Sequence, residues 1–144
     1  MDRCLSVVGL LLIFAPALYA QKPLTNNETD PRTTQAYCML SERRAKVQAH
    51  LETLLSEYSS SWPDARKFQA EFDALKLEMT KMSEMNELMI PKLTSGYGML
   101  ILRKTALIGE VHLMLQEEGS QWPPLKEKQR ELELLDMQIQ KLSN

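Results

Sequence analysis

An internal duplication is the feature of this sequence that most constrains its fold. Residues 31–84 align without gaps on residues 91–144, and 16 of the 54 aligned positions are identical. The tryptophans Trp62 and Trp122 are 60 positions apart, and each is followed by a proline. Shared helical periodicity explains loose matches between helical segments, but it does not explain a retained Trp-Pro pair. We therefore predict two tandem copies of one structural unit.

Turn-forming residues divide each unit at the same place. Serine, glycine and proline cluster at positions 59–63 and again at 119–124. Proline is tolerated in the first turn of a helix because its missing N–H would have no partner there. Between these turns the apolar residues recur every three or four positions, which is typical of long amphipathic helices. The pattern predicts four helices, at about 34–58, 63–89, 94–118 and 123–142. The candidate N-caps of the first and third helices are Thr33, Thr34, Thr94 and Ser95.

We predict an all-α fold in which two tandem helical hairpins form an antiparallel up-down-up-down four-helix bundle. Short connections force neighbouring helices to run in opposite directions. An arrangement of the two hairpins around a pseudo-twofold axis fits the same pattern. The third helix is apolar around much of its circumference, so we expect several neighbours or a partner to cover it. The predicted four-helix domain spans residues 34–144 and follows a flexible polar tail at 21–33.

The first 20 residues have the pattern of a secretory signal peptide. Arg3 supplies a positive charge, and the segment from Leu5 to Tyr19 is almost entirely apolar. We predict cleavage after Ala20, although cleavage after Ala17 also fits the small-x-small pattern. An uncleaved membrane anchor is the competing interpretation, but the apolar run is short for a span of about 20 residues and contains a proline. The protein is therefore predicted to be secreted and extracellular.

Two residues are candidates for covalent modification. Asn27 begins the N-glycosylation sequon Asn-Glu-Thr in the polar tail, and we predict that it is glycosylated. Cys38 is the only cysteine that remains once the predicted signal peptide is removed. A lone cysteine in a secreted chain indicates an intermolecular disulfide or a free thiol. A buried cysteine that acts as a small hydrophobe is the alternative. A homodimer is expected to form through Cys38 or through the third helix.

No residue pattern in the sequence indicates catalysis, a metal or a cofactor. The formal net charge is −2, and acidic and basic residues balance within each unit, so no basic face for nucleic acid is expected. His50 and His112 are the only histidines, and neither has a second ligand at metal-binding spacing. The sequence contains neither a glycine-rich phosphate loop nor a nucleophile motif. We therefore predict a protein that is not an enzyme and that has no cofactor.

Four large apolar residues are the candidates for a partner-binding patch, namely Met85, Leu88, Trp62 and Trp122. Methionine adapts to irregular partner surfaces, and tryptophan is enriched in binding hot spots. Each residue also has a structural interpretation. The tryptophans fit as caps over the end of the bundle, with the indole N–H bonded to a carbonyl. Met85 and Leu88 fit in a loosely packed core.

These patterns predict a secreted helical protein that acts by binding another protein, as an extracellular ligand, an adhesion factor or a subunit. The expected partner is a protein, such as one on a cell surface, and no nucleic-acid partner is expected. The alternative is an extracellular carrier of lipid or another apolar ligand, because methionine-rich amphipathic helices can open around acyl chains.

Overall fold

The computed structural model of the chain describes residues 30–117 and 122–143. This part of the chain is all-α and has no strand, so the predicted fold class is confirmed at that level. Four long helices pack against each other. They are α1 (Gln35–Glu57), α2 (Pro63–Ser83), α3 (Ser95–Glu117) and α4 (Pro123–Ser143). The predicted signal peptide, the tail up to residue 29 and Asn27 lie outside the described residues.

Threonine side chains fix the starts of α1 and α3. The Thr34 hydroxyl accepts a hydrogen bond from the backbone N–H of Tyr37 at 3.3 Å. The Thr94 hydroxyl accepts one from the backbone N–H of Tyr97, also at 3.3 Å. Each bond satisfies one of the donors that a helix leaves unpaired at its first turn. These two of the four candidate N-caps are therefore confirmed.

The second helix is shorter than the sequence pattern predicted. It ends at Ser83 rather than near residue 89, and a 3₁₀ segment, Glu87–Lys92, follows it. Asn86 precedes that segment and accepts a hydrogen bond from the backbone N–H of Met89 at 3.2 Å. Asparagine competes in this way with the backbone bonds of a continuing helix, and Pro91 lacks a donor for them. Met89 therefore belongs to the connection and not to α2.

The central helix of the fold is α3, which packs against α1, α2 and α4. This confirms the expectation that several neighbours cover it. Helices α1 and α2 also pack on each other, whereas α4 packs mainly on α3 and reaches the 3₁₀ segment at its end. The core lies among α1, α2 and α3, where Leu40, Leu75 and Ile101 have no exposed surface. The fourth helix is therefore the outermost element of the described chain.

Two glycines of α3 allow close approach to the first two helices. A Cβ atom at Gly98 would lie 2.9 Å from the Cα atom of Ala36 on α1. A Cβ atom at Gly109 would lie 2.9 Å from the backbone oxygen of Lys67 on α2. Neither separation leaves room for a Cβ atom, so the position of α3 on α1 and α2 depends on the absence of a side chain at these two glycines.

Candidate partner-binding surfaces

Two arginine–glutamate ion pairs join consecutive helices. Arg43 Nη2 on α1 lies 2.7 Å from Glu71 Oε1 on α2, and Arg103 Nη2 on α3 lies 2.7 Å from Glu131 Oε1 on α4. The Glu71 side chain is 2% exposed, whereas the Glu131 side chain is 37% exposed. A buried carboxylate needs a partner to offset its lost hydration. The first pair is therefore a structural element of the core, and the second is close to the surface.

Lys104 of α3 connects three helices through its ammonium group. Its Nζ atom lies 3.0 Å from Glu78 Oε1 on α2 and 2.7 Å from Asp136 Oδ1 on α4. Burial alone would lower the pKa of Lys104, but hydrogen bonds to Asp136 and Glu78 and the charges of these carboxylates outweigh it and raise that pKa above its ordinary value. The opposite charges stabilise one another, which accounts for a lysine at a seam position.

An exposed aromatic pair lies where α1 ends and α2 begins. The rings of Tyr58 and Trp62 are stacked, with centroids 4.8 Å apart and an interplanar angle of 20°. Tyr58 is 44% exposed, Trp62 is 45% exposed, and the nearby Leu55 is 44% exposed. Large, rigid aromatic side chains that remain this accessible are typical of protein-binding hot spots. Sequence reasoning found Trp62 but missed Tyr58, whose spacing from Trp62 was the available signal.

The other residues of the predicted patch differ from Trp62 in exposure. Leu88 is 84% exposed on the 3₁₀ segment after α2, while Met85 is half-buried against the core. Trp122 is half-buried just before α4. Trp62 precedes α2 and Leu88 follows it, and α2, with 21 residues at 1.5 Å per residue, is about 31 Å long. The structure therefore does not bring the four predicted residues together.

Further exposed apolar side chains on α3 and α4 were missed from the sequence. Met99 on α3 is 63% exposed, and Leu134 on α4 is 55% exposed. Met137 and Leu142, also on α4, are 50% and 47% exposed. Leu134 and Leu142 align with Ala74 and Met82 of α2, which are buried, whereas Met137 aligns with Leu77, which is 56% exposed in α2 as well. The burial of the first two positions depends on a further neighbour that α4 does not have.

Cys38 is an exposed free thiol on α1, so the alternative of a buried cysteine is wrong.

His50 packs its ring edge-on against Phe68, with centroids 4.4 Å apart, and His112 Nε2 lies 2.7 Å from Gln116 Nε2. Within residues 30–117 and 122–143, no three histidine, cysteine, aspartate or glutamate side chains are grouped so that they could hold a metal ion.

Two surface clefts adjoin α1. One has a volume of about 290 Å³ and includes His50 and Phe68, and the other has a volume of about 190 Å³ and includes Met39. Arg43 and Lys46 line both clefts. Both volumes lie below the roughly 300–1,000 Å³ of the pockets that usually hold small ligands.

No protein-family model matches the chain, and neither a curated protein nor a solved structure matches it. In the described part of the chain, no helix combines the length and the apolar character needed to cross a membrane.

Proposed function

We propose that this is a secreted, non-enzymatic helical protein that acts by binding another protein through the stacked pair Tyr58 and Trp62. The predicted signal peptide at 1–20 supports secretion, and the exposed aromatic pair supports a protein partner. An extracellular ligand, an adhesion factor or a subunit would each use such a surface.

We further propose that the domain is a duplicated helical hairpin with up-down-up-down topology. The bounds of α3 and α4 follow those of α1 and α2 at an offset of 60 positions. The capping threonines and the arginine–glutamate pairs recur at that same offset and at nearly equal distances. Local contacts of this kind depend on side chains that both units retain, which supports a common origin.

The single observation that carries the binding proposal is the exposure of the stack in one unit only. Trp62 and Trp122 both precede a proline, as a retained corner requires. Position 118, which aligns with Tyr58, is a glutamate. The stack is therefore not part of what the two corners share. An aromatic residue that is present at an exposed site of one unit only favours a role in binding over a role in folding.

Binding to intact cells tests this proposal. Fluorescently labelled mature protein, purified from a secreting host, is expected to bind saturably and to be displaced by unlabelled protein. The double variant Tyr58→Ala and Trp62→Ala is expected to lose at least tenfold in affinity, because truncation of one hot-spot aromatic costs about 2 kcal/mol or more. Flow-cytometric binding curves of the wild type and of the double variant give the two affinities to be compared.

The matched control is Leu77→Ala, which removes an apolar side chain that is 56% exposed on α2, away from the α1–α2 connection. It is expected to bind as the wild type does. Equal affinity of the double variant and the wild type, with both folded by circular dichroism, would reject the aromatic surface.

The lipid-carrier alternative has no comparable observation in its favour. The two clefts beside α1, of about 290 and 190 Å³, are smaller than typical ligand pockets. Mass spectrometry that detects lipid co-purifying with the secreted protein would support this alternative.

A further inference from the structure

One glutamine side chain links the end of α3 to the start of α2. Gln116 lies in the last turn of α3, and Arg66 lies in the first turn of α2. Arg66 Nη1 donates a hydrogen bond to Gln116 Oε1 at 2.8 Å. Gln116 Nε2 lies 2.7 Å from Nε2 of His112, one turn earlier on α3. We call these three side chains the latch, because the amide of Gln116 joins an arginine of one helix to a histidine of the next.

The arginine of the latch determines the protonation state of His112. A guanidinium has donors and no acceptor, and it is not deprotonated in proteins. Gln116 therefore turns its amide oxygen toward Arg66 and its NH2 group toward His112. Because an NH2 group is a donor, Nε2 of His112 has to accept. In the latch as it stands, His112 is neutral and carries its proton on Nδ1.

We propose that the latch is a pH-sensitive contact between α2 and α3, closed while His112 is neutral and open once His112 is protonated. A proton that binds Nε2 turns this atom from an acceptor into a donor. Gln116, with one amide oxygen, then lies between two cationic donors. Its oxygen turns to the imidazolium, and Arg66 is released to solvent.

Arg66 is the partner that leaves because its bond is the more costly of the two to maintain. His112 and Gln116 are one turn apart on the same helix, so their side chains are neighbours in any case. The bond of Arg66 instead holds a long side chain of another helix in one conformation, at a cost in side-chain entropy. Protonation of His112 therefore breaks the link between the helices and keeps the contact within α3.

The charges that neighbouring helices bring to this place favour the same outcome. On α2, Arg66 shares the amide with His112, and Lys67 lies beside Gly109, one turn earlier on α3. A protonated imidazole adds a like charge next to these two cations. Glu110 does not offset it, because it lies on the opposite side of α3 and pairs with Lys128 of α4 at 2.7 Å.

The other titratable groups at this end of the bundle make no hydrogen bond or ion pair with His112 within residues 30–117 and 122–143. They are Asp64 on α2, Glu117 on α3, and His50, Glu52 and Glu57 on α1. His50 packs its ring on Phe68 instead. Since neither arginine nor glutamine titrates in this range, His112 is the member of the latch that responds to pH.

The place of the latch makes this response accessible from solvent. Its three side chains are exposed, so a proton reaches His112 without any opening of the fold. Histidine changes its charge between about pH 8 and pH 5, and the latch is expected to open as the pH falls through that range. The backbone N–H of Arg66 bonds to the carbonyl of Trp62, so the released guanidinium lies one turn from the exposed aromatic pair.

Heteronuclear NMR of the mature wild-type protein, titrated from about pH 8 to about pH 5, tests the proposal. Nuclear Overhauser contacts between the side chains of Arg66 and Gln116 are expected at the start of the titration and are expected to be lost at its end. The side-chain resonances of both residues are expected to move with the same midpoint as the ring of His112.

Two substitutions are expected to keep the latch closed in acid. His112→Gln supplies an amide oxygen that accepts and does not titrate. Gln116→Glu supplies two oxygens, so that Arg66 and a protonated His112 can both donate to it. In each variant the contact between Arg66 and position 116 is expected to persist at about pH 5.

The matched control is His50→Gln, which removes the other histidine and is expected to leave the response of Arg66 and Gln116 unchanged. A contact between Arg66 and Gln116 that persists in the wild type after His112 has titrated would overturn the proposal. A loss of contact in acid that survives in His112→Gln would do so as well, because it would trace the response to another group. None of these measurements involves partner binding, so their outcome is independent of the proposed function.

Discussion

At the residue scale, Lys104 is the side chain that most directly links the helices to one another. It pairs with Glu78 on α2 and with Asp136 on α4 while lying on α3. Its side chain is 15% exposed, and that of Glu78 is 8% exposed. Pairs at this depth are strongly context-dependent, and the loss of one partner costs more than the loss of both, because it leaves a buried charge uncompensated.

We expect Lys104→Met to lower the free energy of unfolding by about 2 kcal/mol, since it leaves Glu78 with Lys81 alone. Urea denaturation at neutral pH measures the change. The double variant Lys104→Met and Glu78→Gln is expected to recover part of the loss. A double variant that is less stable than Lys104→Met would contradict this account of the charge.

The raised pKa of Lys104 also predicts how the stability difference between the wild type and Lys104→Met depends on pH. A lysine whose folded pKa exceeds its unfolded value stabilises the fold below the unfolded pKa, about 10.4 for a free lysine, and the contribution is lost as pH rises through the folded pKa. The difference between wild type and Lys104→Met is therefore expected to be constant near neutral pH and to shrink above about pH 10.5. A difference that stays constant as pH rises through that range would contradict this account.

Gly109 provides a second test at the residue scale. Gly109→Ala is expected to destabilise the protein by roughly 1–2 kcal/mol, because the steric cost of overpacking exceeds a gain in helix propensity of about 1 kcal/mol. The added Cβ would meet the backbone oxygen of Lys67, which cannot move away as a flexible side chain can. Thermal unfolding monitored by circular dichroism measures the effect.

The control for this substitution is Gly96→Ala, also on α3. The nearest atom to a Cβ atom there is the Thr94 hydroxyl oxygen at 3.7 Å, an ordinary contact. This variant is expected to unfold at the wild-type temperature or slightly above it. If the two alanine variants were equally stable, the close approach of α3 to α2 would not be as described.

At the scale of elements, the helices differ in how many of their side chains are buried and in how many neighbours they pack against. Helix α3 has seven buried residues and α4 has three, so α4 depends on far fewer buried side chains. The neighbours differ in the same direction, because α4 packs mainly on α3 while α3 packs on three long helices. Local unfolding begins in elements with few buried apolar contacts.

We therefore expect the amides of α4 to exchange with solvent deuterium faster than the amides at the middle of α3. Native-state hydrogen exchange followed by mass spectrometry measures both in one experiment. The buried part of α4 around Leu135 and Ile139 is the appropriate comparison, because frayed ends exchange quickly in any helix. Equal protection of the two helices would mean that α4 opens only when the whole domain unfolds.

The end of α2 shows that apolar spacing alone does not predict where a helix stops. Apolar spacing continues past Ser83 to Met89, so the pattern predicted one long helix. The 3₁₀ segment results from the Asn86 side chain, which bonds to the backbone N–H of Met89, and from the proline that follows. A local side-chain bond competes with periodicity where the two signals overlap.

At the scale of the whole molecule, the predicted processing of the chain remains to be measured. We expect secretion from eukaryotic cells to yield a mature protein that begins at Gln21 and carries an N-glycan on Asn27. Mass spectrometry of the N-terminal peptide distinguishes cleavage after Ala20 from cleavage after Ala17. Treatment with an N-glycosidase is expected to increase the gel mobility of the wild type but not of Asn27→Gln. Retention of residues 1–20, or an unchanged mobility, would contradict the prediction.

The sequence by itself determined the local features of this protein. Retained turns and capping threonines located the starts of the four helices, and apolar spacing predicted the all-α class. The identity of Arg43 with Arg103, and of Glu71 with Glu131, marked side chains that the structure pairs in both units. Such features are predictable because they depend on residues that are close in the chain or that occupy equivalent positions of the proposed repeat.

Only the tertiary structure decided which of two equivalent surfaces is covered. Helix α3 lies on the first hairpin, so Glu71 is buried and Glu131 is not, although both make the same ion pair. The same asymmetry exposes Leu134 and Met99, which no sequence pattern had marked, and the length of α2 separates Trp62 from Leu88. Burial depends on the neighbour that removes solvent as well as on the residue itself, and two aligned segments of similar sequence do not specify which of them has that neighbour.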